Sequence, residues 1–425
     1  MNKIHTHTLG CKVNFADLQS VLVRLDIDSP IPVAIVGTCC VTAEGEKQSR
    51  KEVRRASRQI GEDGSVFVTG CAARLKPEEF AGLADNVVVL TGEPDEVARG
   101  IIESLGAAAA PAPVDRDECI ESREADAAEY EPGGEPDRTR FFLKIQDGCT
   151  NNCSYCVIPQ VRGKPRSIPA EELMETAARM VAAGYPEIVV SGINAGIWHD
   201  EGMDLAGLME RLAGIGGLKR LRLSSIEVNG VTPELLEVMR RHPMIGHHLH
   251  IPLQSGDDRV LSAMGRRYHA ASFTEVIKRA REALPDINLT TDVMVGFPGE
   301  DERAAERTLW MVEDLGFSKI HVFMYSPRPG TAAAALGDPV PVSVKKRRSR
   351  FLRFLSDRQL KARRQRKVGI SSEILLESSF APGIHAGYSA DYTRFIVEGG
   401  RPGELVNVTG ESVDDEGVVA RVVEP

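Results

Sequence analysis

Cys149-Thr150-Asn151-Asn152-Cys153-Ser154-Tyr155-Cys156 sets three thiols in a C-x3-C-x2-C spacing, directly after the β-like run 141–146. Thiolates this close together bind a metal or an iron–sulfur cluster, and three of them leave a cubane one ligand short. The iron without a protein ligand can then chelate a substrate or cofactor. A structural zinc site normally closes with four ligands. The next Cys or His after Cys156 is His199, and the nearest upstream thiol, Cys119, lies in an acidic stretch. The spacing favours a cluster with an open iron; zinc or a purely structural cluster is the competing reading.

Working outward, six β-like runs alternate with helical patterns: 141–146, 187–193, 220–226, 247–253, 288–297 and 319–325. The segments between them, among them 170–183, 233–241, 271–283 and 302–315, carry apolar residues at i, i+3 and i+4. Six such units predict a partial α/β barrel, whose active site lies at the C-terminal strand ends. The thiol triplet sits in the loop after the first strand. Polar residues at the other strand ends are candidate cofactor contacts: Ser191, Gly192 and Asn194, Ser225 and Glu227, and Gln254. Each alone reads equally well as turn or helix-cap chemistry.

Upstream, Cys11, Cys39 and Cys71 each follow a short apolar run, with a helical segment between one run and the next. That alternation implies a parallel sheet buried on both faces. Its C-terminal strand ends share one edge, where ligands bind. Three thiols distant in sequence are thereby expected to converge and hold a second cluster. Cys40 and Cys119 read as bystanders.

Hydrophobic residues make up 42% of 425, enough for two to four domain cores. No apolar run approaches the ~20 residues of a membrane span. The opening MNKIHTHTLG lacks a signal-peptide layout, and the thiols cluster at motif positions, so a reducing cytoplasm is expected. The net charge of −9 is unevenly spread. Residues 107–138 form an acidic linker, with ten carboxylates against two arginines over 115–137. Residues 345–367 carry twelve Lys or Arg and one acid, and Phe351, Leu352, Phe354, Leu355 and Leu360 give them a helical stripe. So lopsided a run suits an anionic partner, with Arg347, Arg350, Arg363 and Arg364 as expected phosphate contacts. A solvated helix face is the alternative. After Lys367, short β-like runs separated by Gly-rich turns predict a small β-barrel. Tyr388, Tyr392 and Phe395 there are candidates for base stacking, or for the core.

These residues together resemble, across essentially the whole chain, the radical S-adenosylmethionine (SAM) methylthiotransferases. The resemblance rests on Gly10-Cys11-Lys12-Val13-Asn14, Thr38-Cys39-Cys40-Val41-Thr42, Thr69-Gly70-Cys71, the cysteine triplet with Arg162-Gly163, Ser224-Ser225-Ile226-Glu227, Pro252-Leu253-Gln254-Ser255-Gly256 and Gly296-Phe297-Pro298-Gly299. Gly37 and Met324 depart from the family's usual Asn and Pro, and the stretch between Cys11 and Cys39 is short. The resemblance implies a flavodoxin-like parallel α/β domain over 1–106, a radical SAM barrel over 139–344, a basic helix over 345–367 and a TRAM-like RNA-binding barrel over 368–425. It implies two [4Fe-4S] clusters, one on Cys149, Cys153 and Cys156 with SAM, the other on Cys11, Cys39 and Cys71. It also implies a tRNA substrate and an electron donor such as a flavodoxin or ferredoxin, and leaves the sulfur source open. The Gly-Cys-Lys-Val-Asn opening is most similar to enzymes that act on N6-threonylcarbamoyladenosine. Relatives acting on N6-isopentenyladenosine or a ribosomal aspartate are the alternatives, and a non-catalytic iron–sulfur or zinc RNA-binding protein is the reading from another class.

Overall fold

The computed structural model describes residues 4–25, 29, 31–106 and 139–423. The acidic stretch 107–138, with Cys119, lies outside the described residues. The chain forms two compact units. One comprises the N-terminal segment and Val157–Gly163; the other comprises Arg138–Cys156 and the chain from Lys164 onward.

In the first unit, β1 (Ile4–Thr8), β2 (Val33–Thr38), β3 (Ser65–Gly70) and β4 (Val87–Val89) run parallel, side by side in sequence order. β2 is buried at every position, as an unbroken apolar strand covered on both faces should be. One face packs Ala34, Val36, Val66 and Val68 against Val53 and Ala56 of helix Ala43–Ile60. The other packs Ile35 and Phe67 against Leu18 and Val21 of helix Lys12–Arg24, and against Val97 and Ile101 of helix Pro94–Ser104. Each fully buried side chain of this size contributes roughly 1.5–3 kcal/mol. Among the described residues the strand order does not reverse. The C-terminal strand ends alone define the working edge.

In the second unit, β5 (Arg140–Asp147) pairs with the short β6 (Arg166–Ser167) and, in parallel, with β7 (Glu187–Gly192). Beyond the small hairpin of β8 (His199–Asp200) and β9 (Met203–Asp204), β10 (Arg220–Leu223) extends that sheet. A second parallel sheet, β11 (His248–His250), β12 (Asn288–Val295) and β13 (Lys319–Met324), joins it through a Leu221–Ile245 bridge. The six parallel strands fall on the six expected runs. The helices between them bury single stripes, such as Leu173, Ala177 and Met180 of helix Ala170–Ala182.

The C-terminal strands β14 (Ser371–Ala381), β15 (Ile384–Ser389), β16 (Arg394–Glu398), β17 (Leu405–Val413) and β18 (Val418–Val422) close into a barrel. β15 has only a weak alternation, Ile384, Ala386 and Tyr388 against His385, Gly387 and Ser389. Its Gly387 is required by close approach, since a Cβ there would stand 2.3 Å from the Leu375 carbonyl oxygen.

The turn from β15 to β16 lies under the N-terminal ends of the α/β strands. Arg140, Glu187 and Arg220 are the in-register first residues of β5, β7 and β10. Glu187 is fully buried and accepts from Arg222 at 2.8 Å, with Arg140 and Arg220 each 3.6 Å away. Burial pushes its carboxyl up, but the three guanidiniums outweigh that and hold it below the usual carboxylate range. The same arginines reach the turn. Arg220 donates to the Tyr388 carbonyl, and Arg222 to those of Ser389 and Ala390, at 2.8–2.9 Å.

This docking corrects the base-stacking expectation. Tyr392 stacks on His248 with ring centroids 5.0 Å apart, and the Arg222 guanidinium lies 4.7 Å from its ring. Tyr388 packs against Tyr392 and under Arg140. Phe395 is fully buried in the barrel core. The cations at the strand starts recruit the tyrosines as internal partners.

The basic run forms helix Val342–Gln365. Leu352 and Leu355 face the core, whereas Phe351 and Phe354 are 53% and 69% exposed, so the expected apolar stripe is narrower. Much of the charge is also spent internally. Lys345 is buried on the Tyr325 carbonyl, and Arg347 and Arg348 pair with Glu302 and Glu300 at 2.9 Å. Arg363 and Lys367 pair with Asp391, and Arg364 donates to the Asp415 carbonyl. Of the four arginines expected on phosphate, Arg347, Arg363 and Arg364 are thus tied to the protein. Lys346, Arg350, Arg353 and Lys361 are exposed and have no ion pair among the described residues. Their spacing places them along one helix face.

Candidate cluster and cofactor sites

Cys11 caps helix Lys12–Arg24, Cys39 follows β2, and Cys71 starts helix Cys71–Leu75 directly after β3. The structure therefore brings the three thiols to one sheet edge. Gly10 makes the approach possible: with φ at +106°, it lies so close to Cys39 that a Cβ would be 2.9 Å from that residue's Cβ. Gly70, at φ +91°, passes 2.6 Å from the Thr38 backbone by the same measure. Asn14 ties the loops together, donating to the carbonyls of Leu9 at 2.7 Å and Thr38 at 3.2 Å. The Cys39 N–H donates to Ser49 Oγ at 2.9 Å. Cys40 lies buried in the same core as Cys71. The Cys40 side chain, with the Arg162 guanidinium, outweighs burial and brings the Cys71 thiol down to about 6.

Cys149, Cys153 and Cys156 occupy the loop after β5, half-buried and unbridged. Gly148 and Asn152 adopt left-handed backbone there, at φ 73° and 52°, and the Cys156 N–H closes a turn onto the Cys153 carbonyl. The Asn151 N–H reaches Cys149 Sγ at 3.4 Å, and Arg266 Nη1 reaches Cys153 Sγ at 3.4 Å. Such donors stabilise cluster thiolates. Among the described residues, no three His, Cys, Asp or Glu side chains converge on one point as a single metal ion demands. A cubane spreads its thiolates over separate irons, and both triplets suit that donor set.

Of the candidate cofactor contacts, Ser191 and Asn194 sit buried at the end of β7. Among the described residues, Ser191 Oγ and Asn194 Oδ1 have no hydrogen-bond partner, and buried polar atoms of this kind call for a ligand or water. Gly192 lies between them, with Ala195 and Gln146 too near for a larger residue to fit comfortably. Gln254 holds a left-handed backbone at φ 64°, bonded to β12 on both sides (Asp292 and Met294). Ser225 is half-buried. Glu227 pairs with Arg266 and so supports the cysteine loop through that guanidinium.

Two groups went unnoticed as site residues. Arg266 and Tyr268 share a loop: the Tyr268 hydroxyl accepts from Arg266 Nε at 3.0 Å and donates to the Leu253 carbonyl at 2.8 Å. The other is His250, whose Nε2 lies 3.2 Å from Asp292 Oδ1 between adjacent strands. Burial pushes Asp292 up, yet His250 outweighs it and keeps the carboxyl low. Inward-facing polar residues on neighbouring barrel strands are the available signal for that pair.

The chain is similar to known proteins in both sequence and fold. Residues 143–311 match the radical SAM superfamily, and residues 3–92 match the uncharacterised protein family UPF0004. The chain is 35% identical to threonylcarbamoyladenosine tRNA methylthiotransferase MtaB of Thermotoga maritima, over 99% of this chain and 97% of that protein. It is 36% identical to the enzyme of the same name from Bacillus subtilis, over 100% and 98%. Among solved structures, the radical SAM methyltransferase TsrM of Kitasatospora setae superposes with a TM-score of 0.53 at 12% identity. That match covers 91% of this chain and 77% of the other, and shows the shared fold. Fold and thiol loop define a radical SAM enzyme. The chain belongs to the radical SAM methylthiotransferase family.

Proposed function

We propose that this protein transfers a methylthio group to C2 of N6-threonylcarbamoyladenosine, 3′ of the anticodon in tRNA. The near full-length likeness to curated threonylcarbamoyladenosine tRNA methylthiotransferases carries this reading. Cys149, Cys153 and Cys156 hold one [4Fe-4S] cluster, and Cys11, Cys39 and Cys71 hold the second. Bound at these sites, the clusters and SAM would relay the electron, generate the radical and present the sulfur that an unactivated C2–H bond requires. Arg266, held by Glu227, keeps a positive charge against Cys153. Ser191 Oγ and Asn194 Oδ1, without a hydrogen-bond partner among the described residues, are polar contacts for SAM. Lys346, Arg350, Arg353 and Lys361, with Phe351 and Phe354 between them, give the RNA a surface of cations and stacking rings. A flavodoxin or ferredoxin supplies electrons, and the cytoplasm is where such donors and tRNA meet.

Incubating anaerobically reconstituted protein with SAM, dithionite, a sulfide source and tRNA lacking the methylthio group tests the proposal. Digested tRNA should contain 2-methylthio-N6-threonylcarbamoyladenosine. Turnover of SAM to 5′-deoxyadenosine with no such nucleoside, while another substrate is methylthiolated, would contradict it.

A further inference from the structure

Arg162 is the least expected charge in the first unit. Helix Ile158–Arg162 is anchored there by Val157 and Val161, which pack in the same core as Phe80, Val36 and Cys71. The side chain of Arg162 is fully buried. A lone cation in such a place costs several kcal/mol or more, so it persists only with partners. Three such partners lie at the cysteine edge. Nε donates to Cys71 Sγ at 3.3 Å, Nη1 to Asp17 Oδ2 at 2.6 Å, and Nη2 to Asn14 Oδ1 at 3.4 Å.

Asn14 carries the connection further. Its amide bonds the carbonyls of Leu9 and Thr38, which stand just before Gly10-Cys11 and Cys39. One planar guanidinium therefore touches, directly or through a single side chain, all three cysteine-bearing strand ends. Arg162 and Cys71 also both act electrostatically on Cys11. A Lys ammonium has no fixed fork and cannot make these three contacts at once. Asp17 balances the cation when the edge is otherwise neutral. When thiolates and their cluster bring negative charge, the guanidinium lies against it.

We propose that Arg162 is a positioning residue of the N-terminal thiol site: it fixes Cys71 in the ligating orientation and offsets the negative charge of the cluster held by Cys11, Cys39 and Cys71. The assignment rests on the reading that those thiols hold a cluster. A nearby cation stabilises the more reduced, more negative state, so it raises that cluster's reduction potential. Asp17 acts in the opposite sense.

The test uses the full chain with Cys149, Cys153 and Cys156 replaced by Ala, so that only the N-terminal cluster remains. Iron content and a potentiometric titration followed by electron paramagnetic resonance are read for Arg162, Arg162→Gln, Arg162→Lys and Asp17→Asn. Arg162→Gln should lower the potential by the equivalent of about tenfold in the reduced fraction, ~59 mV for one electron. Arg162→Lys should recover part of that shift, and Asp17→Asn should move it positively. Iron bound at the Arg162 level with unchanged potentials in both Arg162→Gln and Asp17→Asn would overturn the assignment. If Arg162→Gln fails to hold iron, the sign of the Asp17→Asn shift decides, and a negative or absent shift counts against the proposal. Absence of iron with Arg162 intact would overturn the cluster reading itself, and the assignment with it.

Discussion

Arg222 donates from Nε to Oε1 of Glu187 at 2.8 Å, at the point where the C-terminal barrel meets the starts of the α/β strands. Glu187 is the acid that three buried arginines share there. Arg220 shows the strain of the arrangement, since burial and its neighbour Arg222 lower it to about 10. Glu187→Gln removes the acid these cations share, leaving Arg140 with Glu377 and Arg220 with Glu373 but Arg222 without an ion pair among the described residues, and should destabilise the protein by about 3–5 kcal/mol. Thermal unfolding measures this. The acid arm has a definite sign. The carboxyl lies lower in the folded state than unfolded, so its contribution is fully present above the unfolded value of about 4.3 and fades as pH falls below it. Unfolding curves between pH 6 and 3 should therefore converge for the two proteins toward the acid end.

Tyr392 is committed to His248 and Arg222. Tyr392→Ala should cost about 2 kcal/mol of stability through the lost stack and cation–π contact, and leave tRNA affinity unchanged at temperatures where the protein is folded. Reduced affinity with an unaltered melting temperature would return this ring to the RNA surface.

Replacing Lys346, Arg350, Arg353 and Lys361 with Gln should weaken tRNA binding at low salt. It should flatten the slope of log K against log[salt] by about three, at about 0.7–0.9 per phosphate contact. Arg363→Gln with Arg364→Gln should instead lower the melting temperature, because both guanidiniums hold the C-terminal barrel. An unchanged slope in the first variant would leave that helix face merely solvated.

The fold was legible where its physics is local. The run 33–38 announces itself because a parallel strand buried on both faces is apolar along nearly its whole length. The cysteines do so because ligand spacing is a property of one loop. The roles of Tyr392 and Arg162 were not legible, because their partners lie more than ninety residues away and a side chain's exposure is settled only by packing. The basic run was half legible: its helix follows from periodicity, but which cations Glu300, Glu302 and Asp391 neutralise is a tertiary fact. Strand β15 escaped because His385, Ala386 and Gly387 carry little β signal, and the close passage to Leu375 that demands glycine is invisible in sequence.

Reconstituted protein should bind about eight irons, and the Cys11→Ala, Cys39→Ala, Cys71→Ala variant about four. That variant should still cleave SAM reductively while making no methylthio product, whereas Cys153→Ala should abolish cleavage. Cys40→Ala should keep the full iron count despite the contact with Cys71. Loss of SAM cleavage in the N-terminal triple variant, with its second cluster intact, would argue against separate roles.

Nucleoside mass spectrometry of total tRNA from a strain deleted for this gene tests the central claim most directly. The account predicts that 2-methylthio-N6-threonylcarbamoyladenosine disappears, N6-threonylcarbamoyladenosine accumulates in its place, and a plasmid copy restores the product while a Cys153→Ala copy does not. Persistence of that nucleoside in the deletion strain, together with loss of 2-methylthio-N6-isopentenyladenosine or of the methylthiolated ribosomal aspartate, would contradict it.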